Sequence, residues 1–159
     1  MMANHGRVAK YDHEIEGINS RLDGLQSAIL SVKLRYLDQW NRQRQEAAEY
    51  YHQCLKHLDL PLPKCNSQGR HVYHLYVTRV KNRNHVMREL KNCGVAAGIH
   101  YPIALPFLKA YSYMNYKPID FPIAYSQMGE LISLPIFPEI TKNQIEYVAC
   151  SLKAAISSM

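Results

Sequence analysis

The sequence predicts an α+β fold, a small β-sheet with helices packed on it and one long helix in front. Three observations predict it. Apolar residues recur at helical spacing near both ends of the chain, at Leu22, Leu25, Ile29, Val32 and Tyr36 and again at Ile145, Val148, Ala149, Leu152 and Ile156. Between them lie two short stretches rich in β-branched and aromatic residues, 72–80 and 95–101. The order helix, strand, helix, strand, loop, helix, helix leaves too few strands for a doubly wound sheet, so the helices lie against one face of a small one.

Ser20-Arg21-Leu22-Asp23 reads as a variant capping box. The Ser20 hydroxyl accepts from the Asp23 amide, and the Asp23 carboxylate favours the positive helix end, so a helix is expected from about residue 21. A second stripe, Leu30, Leu34 and Leu37, means that this helix buries more than one face, and it is expected to run to about Leu58. Pro61, Pro63 and the polar run Asn66-Ser67-Gln68-Gly69 mark a linker. A strand then covers Val72 to Val80. Val86, Met87, Leu90 and Cys93 line a short helix that Gly94 stops, and Val95 to Tyr101 is a second strand ended by Pro102. Residues 102–121 are loop, with three prolines and three tyrosines, and a loop of that length in a compact domain is often functional. Pro122 suits the first position of a helix whose Met128, Leu131 and Ile132 face inward. The chain bends at Leu134–Pro138, and Thr141-x-x-Gln144 is a full capping box that opens the last helix.

With 159 residues, 47% hydrophobic and 20% charged, and a mean hydropathy of −0.31, the chain reads as one ordinary globular domain, neither disordered nor collagenous. A fold of this size hides roughly 68–70% of the surface of its unfolded chain, enough for a core without staples. The four cysteines, Cys54, Cys65, Cys93 and Cys150, contain no CxxC pair, so four buried thiols in a reducing cytoplasm are expected. No apolar run is long enough to span a membrane, and no basic-plus-apolar leader is present, which fits a cytoplasmic protein without a membrane partner. The net charge of +6 is local: residues 51–100 carry eight basic and two acidic side chains, and the flanking segments balance. Such a surplus suits a solvated face or a small anionic ligand better than nucleic acid, because these cations are scattered over helix, strand and turn.

Among residues that carry chemistry, His71 and His74 are the tightest histidine pair. Three apart on a strand they face opposite ways, so no metal is expected. No Ser-x-x-Lys, Gly-x-Ser-x-Gly or glycine-rich phosphate loop occurs, so no self-contained catalytic centre is expected. Gly17-Ile18-Asn19-Ser20-Arg21 sets an amide and a guanidinium at a helix entrance, where N–H groups and the macrodipole favour an anion; equally, Asn19 and Ser20 shape a turn and Arg21 is a surface residue. His100-Tyr101-Pro102 places an imidazole and a phenol at a strand end, either as ligand groups or as packing.

Taken in order, Asn4-His5-Gly6, then Gly17-x-Asn19-x-Arg21-Leu22-Asp23-x-x-Gln26-x-Ala28-x-Leu30, His71-x-x-His74-Leu75-Tyr76-Val77, Ile99-His100-Tyr101-Pro102 and Leu134-Pro135-x-Phe137-Pro138-Glu139 resemble the sugar aminotransferases of the DegT/StrS type, which use pyridoxal 5'-phosphate. The resemblance covers essentially the whole chain. It implies the small C-terminal domain of a fold-type-I transferase over residues 21–159, with residues 1–20 as the tail end of the large domain and an interface loop. It implies an aminotransferase that acts on a nucleotide-linked keto sugar with an amino-acid donor, in amino-sugar, surface-polysaccharide or antibiotic-sugar biosynthesis, as a homodimer or together with a missing large domain.

The family's catalytic lysine lies upstream of the part resembled, and Lys10 and Lys33 do not stand at its position, so no catalytic residue is expected here and the chain alone is expected not to transaminate. By the same resemblance Asn19 hydrogen-bonds the cofactor phosphate of a neighbouring subunit, His5 and Arg21 approach it, and His100 and Tyr101 line the sugar-nucleotide entrance. The run Ala104-Leu105-Pro106-Phe107-Leu108 departs from the family's Pro-x-His-x-Gln-like run and removes a polar group from that entrance. The alternative is a free-standing binding or assembly module that keeps the fold without catalysis. In either case one stripe of the first helix is expected to lie exposed and to drive self-association.

Overall fold

The structure is a computed structural model that describes residues 1–66 and 69–158. Of the expected polar linker, Ser67 and Gln68 lie outside the described residues. The chain divides into two compact units, Met1–Asp38 and Gln39–Met159.

The first unit is built on backbone pairing rather than on a core. A two-stranded antiparallel ribbon, β1 (Arg7–Ala9) and β2 (Asp12–His13), lies inside a longer antiparallel return in which Asn4 pairs with Asn19. Helix α1 (Gly24–Leu34) follows. It starts three residues later than Ser20 would have it: Asp23 is the N-cap, its carboxylate accepting from the Gln26 amide at 2.7 Å. No residue of α1 is buried; Leu25 is 73% exposed, and Ile29 and Val32 are exposed with it. The single long helix expected over 21–58 is in fact two. Tyr36 N–H bonds back only three residues, to Lys33 at 3.0 Å, and Asp38 sits in the first turn of α2 (Leu37–Leu55), where its charge suits the helix dipole.

The second unit holds the core. Strands β3 (Tyr76–Arg79) and β4 (Leu131–Leu134) pair antiparallel, Tyr76 opposite Leu134 and Thr78 opposite Ile132, and these four are buried on one face. Against them pack Tyr51 and Leu55 of α2, Val86 and Leu90 of α3 (Arg83–Asn92), and Ile145, Val148 and Leu152 of α5 (Lys142–Ser157). The Thr141/Gln144 capping box forms as expected, and Gly94 ends α3 at φ +73°. Thr78, buried and polar, donates its hydroxyl to Pro61 O at 3.0 Å.

Three expected elements differ. The strand over 72–80 shrinks to four residues because the carbonyls of Tyr73 and His74, along with that of Ile136, are taken by the Arg44 guanidinium at 3.1–3.4 Å, and Tyr73 turns to φ +45°. The second strand over 95–101 reduces to one bridge, Gly98 to Ser133, on the far edge of β4. Pro122 does open a helix, α4 (Pro122–Gln127), but the chain turns after it and residues 131–134 form a strand, so Leu131 and Ile132 are sheet residues. A run as short as Leu131-Ile132-Ser133-Leu134 satisfies helix and strand periods alike, and the partner strand decides. The thiols also depart from expectation: Cys65, Cys93 and Cys150 are exposed and Cys54 is half-buried.

Candidate functional site

Two glycines shape the first unit. Gly6, buried, adopts φ +70°, and a Cβ there would lie 1.6 Å from Ile15 O; a Cβ on Gly17 would lie 2.1 Å from Gly6 N. The two segments therefore press backbone on backbone, a contact that only glycine permits. Three hydrogen bonds close the return: Ile18 N–H to Met2 O at 2.8 Å, Ser20 N–H to Ala3 O at 2.9 Å, and His5 N–H to Ile18 O at 3.0 Å. His5, itself at φ +60°, is thus held beside Ile18, the neighbour of Asn19.

On this clamp, Arg21 Nε donates to Asn19 Oδ1 at 3.1 Å. Because guanidinium only donates, the amide's orientation follows: oxygen toward Arg21, the Nδ2 amino group without a partner among the described residues. His5, Asn19 and Arg21 are all exposed. An amide N–H₂ and the remaining guanidinium N–H groups form a donor set suited to phosphate oxygens. The residues present therefore fit the phosphate of a pyridoxal-type cofactor. The helix-entrance part of the expectation is corrected, however. The Asp23 carboxylate occupies the positive end of α1, so any anion selectivity comes from the side chains and not from the macrodipole.

His100 and Tyr101 belong to the second unit and are brought together with their rings edge to face, centroids 5.9 Å apart. The His100 Nδ1 meets Ser133 Oγ at 2.9 Å. Ser133 is only 4% exposed and exchanges both backbone hydrogen bonds with Gly98, at 2.8 and 2.9 Å. A Cβ on Gly98 would stand 3.0 Å from His100 Cε1, so the small residue makes room for the ring. Tyr101 projects at 74% exposure. An imidazole fixed by a buried hydroxyl beside an exposed phenol can hydrogen-bond and stack on a ligand.

Reasoning from sequence missed Ser133, although a lone hydroxyl inside Leu131-Ile132-Ser133-Leu134 was its signal, and missed why Gly6 and Gly17 are needed. His71 and His74 are exposed and not on a strand, and among the described residues no group of three His, Cys, Asp or Glu side chains is placed to hold a metal ion. Among them, too, no helix is long and apolar enough to cross a membrane.

Comparison with known proteins gives consistent matches. The profile of the DegT/DnrJ/EryC1/StrS aminotransferase family matches residues 1–153. The chain is 41% identical over 157 residues to the erythromycin biosynthesis sensory transduction protein EryC1 of Saccharopolyspora erythraea, covering 97% of this chain and 42% of that protein. It is 40% identical over 148 residues to the dTDP-3-amino-3,6-dideoxy-alpha-D-galactopyranose transaminase of Aneurinibacillus thermoaerophilus, covering 93% and 40%. The crystal structure of S. venezuelae DesV in complex with a ketimine intermediate superposes with a TM-score of 0.89 at 31% identity, over 97% of this chain and 42% of that one. The chain thus spans about two fifths of the length of the relatives it matches.

Proposed function

Because this chain belongs to the DegT/DnrJ/EryC1/StrS aminotransferase family, whose members depend on pyridoxal 5'-phosphate, we propose that it is the C-terminal portion of an aminotransferase acting on a nucleotide-linked keto sugar. In this reading it contributes phosphate-binding and sugar-entrance residues to a site completed by a large domain, in a dimer. The observation that carries the proposal is the Arg21–Asn19 hydrogen bond on the glycine-clamped loop, which leaves an amide N–H₂ free to donate.

The chemistry supplied by pyridoxal 5'-phosphate when bound is that of an electron sink and amino-group carrier. Asn19 Nδ2 would donate to its phosphate, and Arg21, which orients Asn19, would offset the phosphate charge. His5 stands at the same loop. His100, held by Ser133, and Tyr101 line the entrance of the sugar nucleotide, where Leu105 and Phe107 stand in place of a more polar run. In this reading the lysine that would carry the cofactor is supplied by the large domain, because neither Lys10 nor Lys33 stands at the position the family uses.

The test pairs the chain with a lysine-bearing large domain of a relative and follows cofactor binding and amino transfer from an amino acid to a dTDP- or UDP-linked keto sugar. The chain alone should transfer nothing and the pair should be active. Asn19→Ala in the pair should weaken cofactor binding by about 10–100-fold, the loss of a hydrogen bond to a charged group. Transfer by the chain alone, or unchanged cofactor affinity in Asn19→Ala, overturns the proposal. A pair that never forms supports the non-catalytic module instead.

A further inference from the structure

Helices α2 and α5 meet in the second unit at Tyr50. The Tyr50 hydroxyl donates to the Glu146 carboxylate, while Lys142, one turn earlier on α5, lies over the Tyr50 ring at 5.2 Å. Residues four apart on a helix share a face, so one turn beyond Tyr50 and Glu146 come Cys54 and Cys150. Both line a cavity of about 300 Å³ whose other walls are His57, Leu58, Glu146, Ala149 and Lys153. Cys150 is exposed and Cys54 half-buried. Burial pushes the Cys54 thiol up, and the neighbouring Glu146 and Cys150 push it further, which places the second sulfur within electrostatic reach.

We propose that Cys54 and Cys150 form a dithiol site that takes a soft, thiophilic ligand of the trivalent-arsenical class, bridged between α2 and α5. Both thiols are free and line the same cavity, so both remain available to a soft atom that bonds two sulfurs at once. With phenylarsine oxide, two arsenic–sulfur bonds form and the arsenic–oxygen bond breaks. The oxygen leaves as water with the two thiol protons, and nothing is oxidised or reduced. Exposed Cys150 attacks first; Cys54, kept as a thiol, closes the ring.

Phenylarsine oxide is added to the full chain, and intact mass, free-thiol count and reversal are read. One phenylarsenic group per chain is expected, with two thiols lost, reversed by 2,3-dimercaptopropanol but not by glutathione. Cys54→Ala and Cys150→Ser should each weaken this adduct by about 10²-fold or more, since the second attachment becomes intermolecular. Cys150→Ser changes an exposed residue, and the Cys65→Ser/Cys93→Ser double variant should retain the adduct. An adduct reversed by glutathione, one that survives either single substitution with the fold intact by circular dichroism, or one that the double variant loses overturns the assignment.

Discussion

Replacing Gly17 by alanine should disable the Asn19 loop and leave the core untouched. The residue has no left-handed φ, so its backbone tolerates a side chain, and the obstacle is steric. The added Cβ would meet Gly6 N at 2.1 Å, His5 C at 2.6 Å and Met2 O at 2.7 Å, all backbone atoms that cannot rotate away. Relief requires the two segments to part by about an ångström, beyond the range in which N–H···O bonds hold. The bonds at risk are those donated by His5, Ile18 and Ser20. Each is worth a net of about 0.5–1.5 kcal/mol, and alanine returns about 0.4–1 kcal/mol by narrowing the unfolded ensemble. The loop should therefore lose about 2 kcal/mol, equivalent to about 30-fold at 1.36 kcal/mol per decade. Native-state hydrogen exchange reads this directly. The amides of His5, Ile18 and Ser20 should exchange about 30-fold faster while those of β3 and β4 keep their protection. Unchanged exchange at those three amides would mean that the close approach of Gly17 to Gly6 does not hold the loop, and equal acceleration in β3 and β4 would refute an effect confined to it.

Ser133→Ala should cost about 0.5–1.5 kcal/mol and free the His100 ring, seen as a changed Nδ1 resonance and rotamer averaging; an unaltered His100 spectrum would show that Ser133 does not position it. Arg44→Met strips three carbonyls of their partner and should cost about 2 kcal/mol, the low end for charged bonds given their length, measured as a lower urea midpoint at unchanged slope. The Tyr50 phenol is pushed up to about 12 by its hydrogen bond to Glu146, then by burial and charge. The protonated form is the favoured one, so its contribution to stability is full below pH 10 and disappears as pH rises through 12. Glu146→Ala should bring the tyrosinate absorbance step back toward 10, and an unmoved step would discount the bond. The exposed stripe Leu25, Ile29 and Val32 should make the isolated chain self-associate at low micromolar concentration, and Ile29→Glu should suppress this; a wild-type monomer in sedimentation refutes it.

Where local chemistry decides an element, the sequence was readable. Thr141 and Gln144 satisfy each other's backbone, Gly94 takes the left-handed position, and Pro122 fills a first helical position; all three stand as expected. Where a distant group competes, it was not. Val72 to Leu75 has the composition of a strand, yet Arg44, about thirty residues earlier, draws off its carbonyls. The Leu131–Leu134 run has no period of its own to separate helix from strand, and the register with Tyr76–Arg79 settles it. The cysteines were expected inside because thiols are usually buried, but Cys150, two places before Leu152 and five after Ile145 on α5, is turned away from the face that the core occupies and is exposed.

The candidate site divides along the same line. Asn19, Arg21, His5, His100 and Tyr101 were proposed by motif, and all five are exposed, so no core packing constrains them. What constrains them lies one layer beneath: Gly6 and Gly17 for the loop, Gly98 and Ser133 for the imidazole. Three of the four are glycines whose role is to be small, and the fourth, Ser133, faces inward, so a search for exposed chemistry passes over them. An exposed donor is useful only when its geometry is fixed before the ligand arrives, since ordering a free loop on binding costs affinity. A glycine whose Cβ would strike backbone at 1.6 or 2.1 Å is therefore as much a determinant of the site as the amide it presents.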